Sequence, residues 1–151
     1  LFSQIFLILL HFIPPYPKVK NLEFPINAFH TIIGLTVLIL GLIIIIKAFF
    51  DLGENLTPLP YPLIESSLIK NNSYKYVRHP IYRGLLFISL GICILTLSLL
   101  HLCLLISLIY ILKIKALKEE EMLKIKFPEY KEYIKEVPAI MKKIKYLDWR
   151  A

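Results

Sequence analysis

Residues 84–112 read GLLFISLGICILTLSLLHLCLLISLIYIL and contain no Asp, Glu, Lys or Arg. One straight helix over this stretch would be about 44 Å long, whereas the hydrocarbon core of a bilayer is about 30 Å thick. The stretch therefore predicts a hairpin of two membrane helices, with its turn between Leu97 and Leu102, where polar side chains cluster. A single strongly tilted helix is the alternative.

The rest of the chain is also rich in apolar residues. Hydrophobic residues make up 57% of the 151 positions, and the mean hydropathy is +0.66. Soluble domains average about 45–50% apolar residues, so a soluble globular protein, a disordered chain and a disulfide scaffold are all disfavoured. We expect an all-α integral membrane protein with about four membrane segments. Cys93 and Cys103 lie in apolar stretches and are expected to be buried, neither bridged nor redox-active.

We expect a single membrane domain over residues 1–151. Residues 24–46 are uncharged and form its clearest membrane helix. Residues 1–13 are apolar but too short to cross a bilayer, so we expect a truncated span or a segment lying partly in the interface. The domain divides into N-terminal spans (1–50), a proline-rich cytoplasmic loop (51–80), the helical hairpin (81–115) and cytoplasmic amphipathic tail helices broken at prolines (116–151).

The distribution of basic residues predicts the topology. Eleven of the 18 Lys and Arg residues lie at or after Lys113, which places the tail on the cytoplasmic side. A hairpin over 81–115 puts the loop residues Lys70, Lys75 and Arg78 on that same side, whereas a single helix would put them outside. The positive-inside rule therefore favours the hairpin and a multi-pass protein.

Residues 74–84, YKYVRHPIYRG, place one histidine, two arginines and three tyrosines directly before a membrane helix. Pro80 suits the first turn of that helix, where its missing N–H costs nothing. The free amides of a helix N-terminus, together with Arg78, are suited to bind a carboxylate or phosphate. The alternative is an ordinary interfacial belt of Tyr and Arg.

A second cluster is Glu119-Glu120-Glu121, at the start of an otherwise basic tail. These acids either pair with lysines at helical spacing, such as Lys115, or turn one carboxylate inward to bind a positive ligand group or ribose hydroxyls. The hairpin would bring this cluster to the same face as residues 74–84. Trp149 is expected to be an interfacial anchor, and no residue pattern indicates a metal.

These two clusters resemble a known family. Residues 76–82, YVRHPIY, with Gly84, resemble the isoprenylcysteine carboxyl methyltransferase and phospholipid methyltransferase family of membrane enzymes. The resemblance covers roughly residues 50–140. It departs from the family pattern at Pro128, where glycine is usual, and at 139–141, where arginine and proline often follow. Further matching residues are Glu119, Glu120, Leu123, Phe127, Tyr130, Tyr133, Val137, Pro138 and the upstream GENLTPLP of 53–60.

The resemblance implies a methyltransferase that uses S-adenosylmethionine, most like the carboxyl O-methyltransferase type. It implies a lipophilic or lipidated acceptor that enters from the bilayer, membrane lipids as surroundings, no nucleic acid and an active site on the cytoplasmic side. The catalytic residues would be Arg78, which would meet a carboxylate of cofactor or substrate, His79 and Glu120. The cofactor would be lined by Tyr76, Val77, His79, Pro80, Tyr82, Gly84, Glu119 and Glu120.

Two other functions remain open from the sequence. A phospholipid N-methyltransferase would have to remove a proton from an amine acceptor, with His79 or a glutamate as the base. A small non-enzymatic membrane adaptor would use its basic tail to bind anionic lipid.

Overall fold

A computed structural model of the protein describes residues 2–16, 28–53, 67–142, 144 and 147–149. Residues 54–66 of the predicted loop (51–80) lie outside this part of the chain. All regular secondary structure among the described residues is helical, as the composition predicts. The helices are α1 (Phe2–Leu10), α2 (Ala28–Leu52), α3 (Pro80–Thr96), α4 (Leu99–Lys126) and α5 (Tyr130–Glu136), with a 3₁₀ turn at Asn72–Lys75.

Two of the described helices are long and apolar enough to cross a membrane, judged by length and composition. They are α2, with 25 residues, and α4, with 28 residues. At about 1.5 Å per residue their lengths are about 38 and 42 Å, more than the core of a bilayer requires. Helix α3 is apolar but shorter, and α1 has nine residues. The expected number of four membrane segments stays a prediction.

The break between α3 and α4 falls at Leu97 and Ser98, at the start of the stretch where the sequence analysis expects a turn. Leu97 has a φ of 45°, an unfavourable value for a side chain of this size. Hydrogen bonds to Tyr16 stabilise the turn. Ser98 Oγ donates to the Tyr16 carbonyl at 2.9 Å and accepts its N–H at 3.0 Å, and the Leu100 N–H donates to the same carbonyl at 3.2 Å.

The chain divides into two compact units. The first comprises Leu1–Ile43 and Gly84–Ile111, and the second comprises Ile44–Arg83 and Leu112–Ala151. Because this division passes through α2, α3 and α4, each of these helices contributes residues to both units.

Within the first unit, α2 and α3 approach each other at glycines. A Cβ built at Gly41 would lie 2.8 Å from the Gly84 carbonyl, and one at Gly91 would lie 2.8 Å from the Leu38 nitrogen. Gly34 and Gly41 are seven residues apart, as are Gly84 and Gly91. This spacing keeps small residues on one face of each helix, so the two backbones pack in direct contact.

Histidines in the first unit bind neighbouring polar groups. His11 Nε2 lies 2.6 Å from Ser89 Oγ, and its Nδ1 lies 2.7 Å from the Leu7 carbonyl. His101 is fully buried, and its Nε2 lies 3.3 Å from the His11 carbonyl. Buried polar groups in an apolar bundle require such partners. The structure buries neither cysteine as predicted, because Cys93 is only partly buried and Cys103 is exposed on α4. Both cysteines are free.

The glycine contacts predict a graded effect on stability. We expect Gly91→Ala to destabilise the protein by about 1–3 kcal/mol, because the new methyl group meets backbone atoms that cannot move aside. Gly34→Ala should cost less, because its nearest contact is the end of the flexible Leu95 side chain, at 2.7 Å. The measurement is unfolding in detergent micelles followed by circular dichroism. A Gly91→Ala protein as stable as Gly34→Ala would contradict this packing.

Candidate functional site

The arginine–histidine–proline corner meets the acidic cluster within the second unit. Arg78 Nε donates a hydrogen bond to Glu120 Oε1 at 2.8 Å, and His79 Nε2 donates to the same oxygen at 2.9 Å. Arg78 is 3% exposed and Glu120 is 2% exposed. A carboxylate facing a guanidinium and an imidazole N–H retains the hydrogen bonds that burial would otherwise remove.

Backbone hydrogen bonds hold the corner in place. The Arg78 N–H donates to the Pro138 carbonyl at 2.9 Å, and the His79 N–H donates to the Ala139 carbonyl at 3.1 Å. The residues just before α3 are therefore fastened to the segment that follows α5. Pro80 is the first residue of α3, a position where proline loses no hydrogen bond.

The Arg78 guanidinium also caps the C-terminal end of α5. Its Nη1 donates to the carbonyls of Ile134, at 3.4 Å, and Val137. The last carbonyls of a helix have no intrahelical donor, so an arginine here satisfies them and meets the negative end of the helix dipole. The remaining nitrogen, Nη2, is buried and has no hydrogen-bond partner among the residues that the structure describes.

An aromatic cluster supports α5. Tyr130, Tyr133 and Ile134 are buried together. The Tyr133 hydroxyl donates to the Tyr74 carbonyl, which ties α5 to the 3₁₀ turn. Burial raises the pKa of Tyr74, Tyr130 and Tyr133 above the usual value for a phenol. Partly buried side chains around the cluster are Leu68, Leu123, Phe127 and Val137.

Glu119 has a different environment from Glu120. Its side chain is 19% exposed, and its Oε1 accepts a hydrogen bond from the Tyr82 hydroxyl at 2.6 Å. His79 Nδ1 lies 3.7 Å from Glu119 Oε2, so the His79 ring lies between the two carboxylates. The Tyr82 ring stacks on His79 with centroids 5.2 Å apart and planes 5° apart. This side of the cluster is polar and partly open.

The structure brings most of the predicted site residues together in the second unit. Tyr76 lies apart from the buried network, because it is 69% exposed. Gly84 belongs to the first unit. The carboxylate that Arg78 meets belongs to Glu120 of the same chain, and Glu121 is exposed. The binding and catalytic roles of all these residues stay predictions. The residues that lie together are Val77, Arg78, His79, Pro80, Tyr82, Glu119 and Glu120.

Sequence reasoning missed part of this arrangement. The carbonyls of residues 134 and 137–139 bind the corner, yet a backbone acceptor leaves no mark on side-chain identity. The Val137-Pro138 pair of the family pattern is the only sequence feature that marks this segment. Trp149 was predicted to be an interfacial anchor, but it is buried.

Comparison with known proteins identifies the family. The sequence model of the phospholipid methyltransferase family matches residues 29–129, which is more than half of the chain. The chain therefore belongs to the phospholipid methyltransferase family, and the resemblance drawn from the two clusters is confirmed. No curated protein matches the chain.

The fold is that of a solved membrane methyltransferase. The structure of the eukaryotic intramembrane Ras methyltransferase, isoprenylcysteine carboxyl methyltransferase, matches with a TM-score of 0.71 and 24% sequence identity. The match covers 95% of this chain and 50% of that one, so this chain spans half the length of that protein. Together with its apolar helices, this makes the chain a membrane protein of a methyltransferase family.

The buried network predicts strong energetic coupling between Arg78 and Glu120. We expect Arg78→Gln and Glu120→Gln each to cost about 3–5 kcal/mol of unfolding free energy, because each leaves a buried charge without its partner. The double variant should lose much less unfolding free energy than the two single variants lose together. Detergent-induced unfolding of the four proteins in mixed micelles measures the cycle.

The exposed Glu132–Lys135 pair is the matched control, with side chains 71% and 70% exposed. Its glutamine variants should show little coupling, because solvent screens exposed pairs. Additive losses at Arg78 and Glu120 would show that their contact contributes nothing to stability.

Proposed function

We propose that the chain is an S-adenosylmethionine-dependent methyltransferase of the isoprenylcysteine carboxyl O-methyltransferase type, acting on the carboxylate of a lipophilic acceptor. Its family and its fold support methyl transfer at a membrane. The observation that carries the proposal is the contact of Arg78 and His79 with Glu120, which lies 42 and 41 positions further along the sequence. This contact joins the two parts of the family motif, the YVRHPIY segment of 76–82 and the acidic pair Glu119-Glu120.

The chemistry of the residues fits the proposed methyl donor. S-adenosylmethionine has a carboxylate, an ammonium, ribose hydroxyls and a sulfonium, which supplies an electrophilic methyl group when the cofactor is bound. The buried Nη2 of Arg78 lacks a partner among the described residues and is suited to the carboxylate. The N-terminal end of α3, where the helix dipole is positive, favours the same anion. Glu119, partly exposed, is suited to the ammonium or a hydroxyl.

The chain's own residues mainly position reactants under this proposal. A carboxylate acceptor is already a nucleophile, so no general base is required, and orientation and exclusion of water supply most of the rate. Glu120 Oε1 already accepts two hydrogen bonds, which makes this carboxylate a positioning group. With an amine acceptor, His79 would have to remove a proton through Nδ1, the ring nitrogen that does not bind Glu120.

The proposal places the site on the cytoplasmic side. The basic residues of the loop and of the tail would both face the cytoplasm under the positive-inside rule. An acceptor with a hydrocarbon chain would then be held in the inner leaflet, with its carboxylate near the surface. Membrane lipids are the other expected partners.

Calorimetric titration of S-adenosylmethionine into the detergent-solubilised protein tests cofactor binding. We expect Glu120→Gln to weaken binding at least about tenfold, or ~1.4 kcal/mol, because it disturbs the buried Arg78 charge. Glu121→Gln, at the exposed neighbouring acid, should bind within about twofold of the parent. Equal or reversed effects would refute the assignment of Glu120, and no heat from the parent at millimolar ligand would remove the main support for the enzyme.

Transfer of a labelled methyl group identifies the acceptor class. We expect product with a farnesylcysteine analogue and none with phosphatidylethanolamine, each presented in the same mixed micelles. The reverse result would establish the phospholipid N-methyltransferase instead. A protein that methylates neither acceptor and binds anionic vesicles would support the membrane adaptor.

A further inference from the structure

Lys115 lies at the partly open side of the site. Its Nζ is 3.7 Å from Glu119 Oε1 and 5.2 Å from the centroid of the Tyr82 ring. The Lys115 side chain is 17% exposed, which is low for a lysine that follows the uncharged run of 84–112. Lys115 is therefore held by two groups, a carboxylate and an aromatic face.

An ordinary helix-surface ion pair does not account for this placement. Lys115 precedes Glu119 by four residues, and this order is the less favourable one for a lysine–glutamate pair on a helix. The exposed Glu132–Lys135 pair on α5 shows the usual alternative, with both side chains mostly in solvent. What distinguishes Lys115 is its position over Tyr82, whose hydroxyl donates to the same Glu119 oxygen.

The three side chains form a closed set of contacts. Lys115 contacts Glu119 and Tyr82, and Tyr82 contacts Glu119. Tyr82 also stacks on His79, whose Nε2 binds Glu120. A change in the position of Lys115 therefore reaches the buried network through Tyr82. Because the Glu119 and Lys115 side chains are mostly buried, solvent screens their attraction less than it screens that of an exposed pair.

We propose that Lys115 is a positioning residue of this site, which holds the Glu119 carboxylate and the Tyr82 ring where they would receive the methyl donor. This inference rests on the proposed function. It predicts that the positive charge and its stacking on Tyr82 are both required. Arginine can replace lysine here, because a guanidinium also pairs with a carboxylate and stacks on an aromatic ring.

The contact itself is tested without activity. Acetylation of the purified protein by an amine-reactive ester, followed by peptide mass spectrometry, compares Lys115 with the exposed Lys118 on the same helix. We expect Lys115 to react at least about fivefold more slowly than Lys118 in the parent, and Glu119→Gln to raise its rate several-fold. Equal rates in the parent, with no change in Glu119→Gln, would overturn the proposed contact.

The positioning role is tested by donor binding and kinetics. We expect Lys115→Met to raise the Kd and the KM for S-adenosylmethionine about five- to tenfold, with kcat within about twofold and an unchanged unfolding midpoint. Lys115→Arg should restore binding to within about twofold of the parent. Lys118→Met is the matched control and should behave as the parent.

The outcomes separate this inference from the function on which it rests. A parent that binds no S-adenosylmethionine would overturn the proposed function and, with it, the role of Lys115. A parent that binds the donor while Lys115→Met equals Lys118→Met would overturn the role of Lys115 alone. A Lys115→Arg protein as defective as Lys115→Met, or a fall in the unfolding midpoint that parallels the loss of binding, would also overturn it.

Discussion

The second unit depends on one buried charge pair, Arg78 and Glu120. Neither charge can remain in the interior without the other, because desolvation of an unpaired ion costs several kcal/mol. The pair also fixes backbone, since the guanidinium binds carbonyls at the end of α5. A single arginine therefore holds together the start of α3, the last turns of α4 and the end of α5.

Arginine is the side chain that can make all these contacts at once. Its planar group carries five N–H donors in fixed directions, whereas a lysine ammonium has three donors on one atom. In this protein Nε donates to Glu120 and Nη1 donates to the two carbonyls. Nη2 has no partner among the described residues and can donate to a further acceptor. Rigid support of this kind suits a site that must orient its ligands within a fraction of an ångström.

The features of the fold that depend on bilayer thickness and on the period of the helix can be predicted from the sequence. The uncharged run of 84–112 is too long for one helix across a bilayer, and a break is found within it. The hairpin prediction also brings Arg78 and Glu120 together. Other features depend on tertiary contacts that no local pattern encodes. Leu97 takes a left-handed conformation in a turn that Tyr16 binds, and Trp149 is buried although it lies close to the end of the sequence.

The three consecutive acids, Glu119 to Glu121, show which properties of the site the sequence predicts and which it does not. Successive residues of an α-helix point about 100° apart, so Glu119, Glu120 and Glu121 cannot share one environment. In this protein Glu120 is buried against Arg78, Glu119 lies at the partly open edge with Tyr82, and Glu121 is exposed. The order follows from the face of α4 that packs on the corner, which the spacing of apolar residues in a membrane helix does not reveal, because lipid and protein both favour apolar side chains. A doublet of acids therefore gives one carboxylate that maintains the fold and one that remains accessible to a ligand.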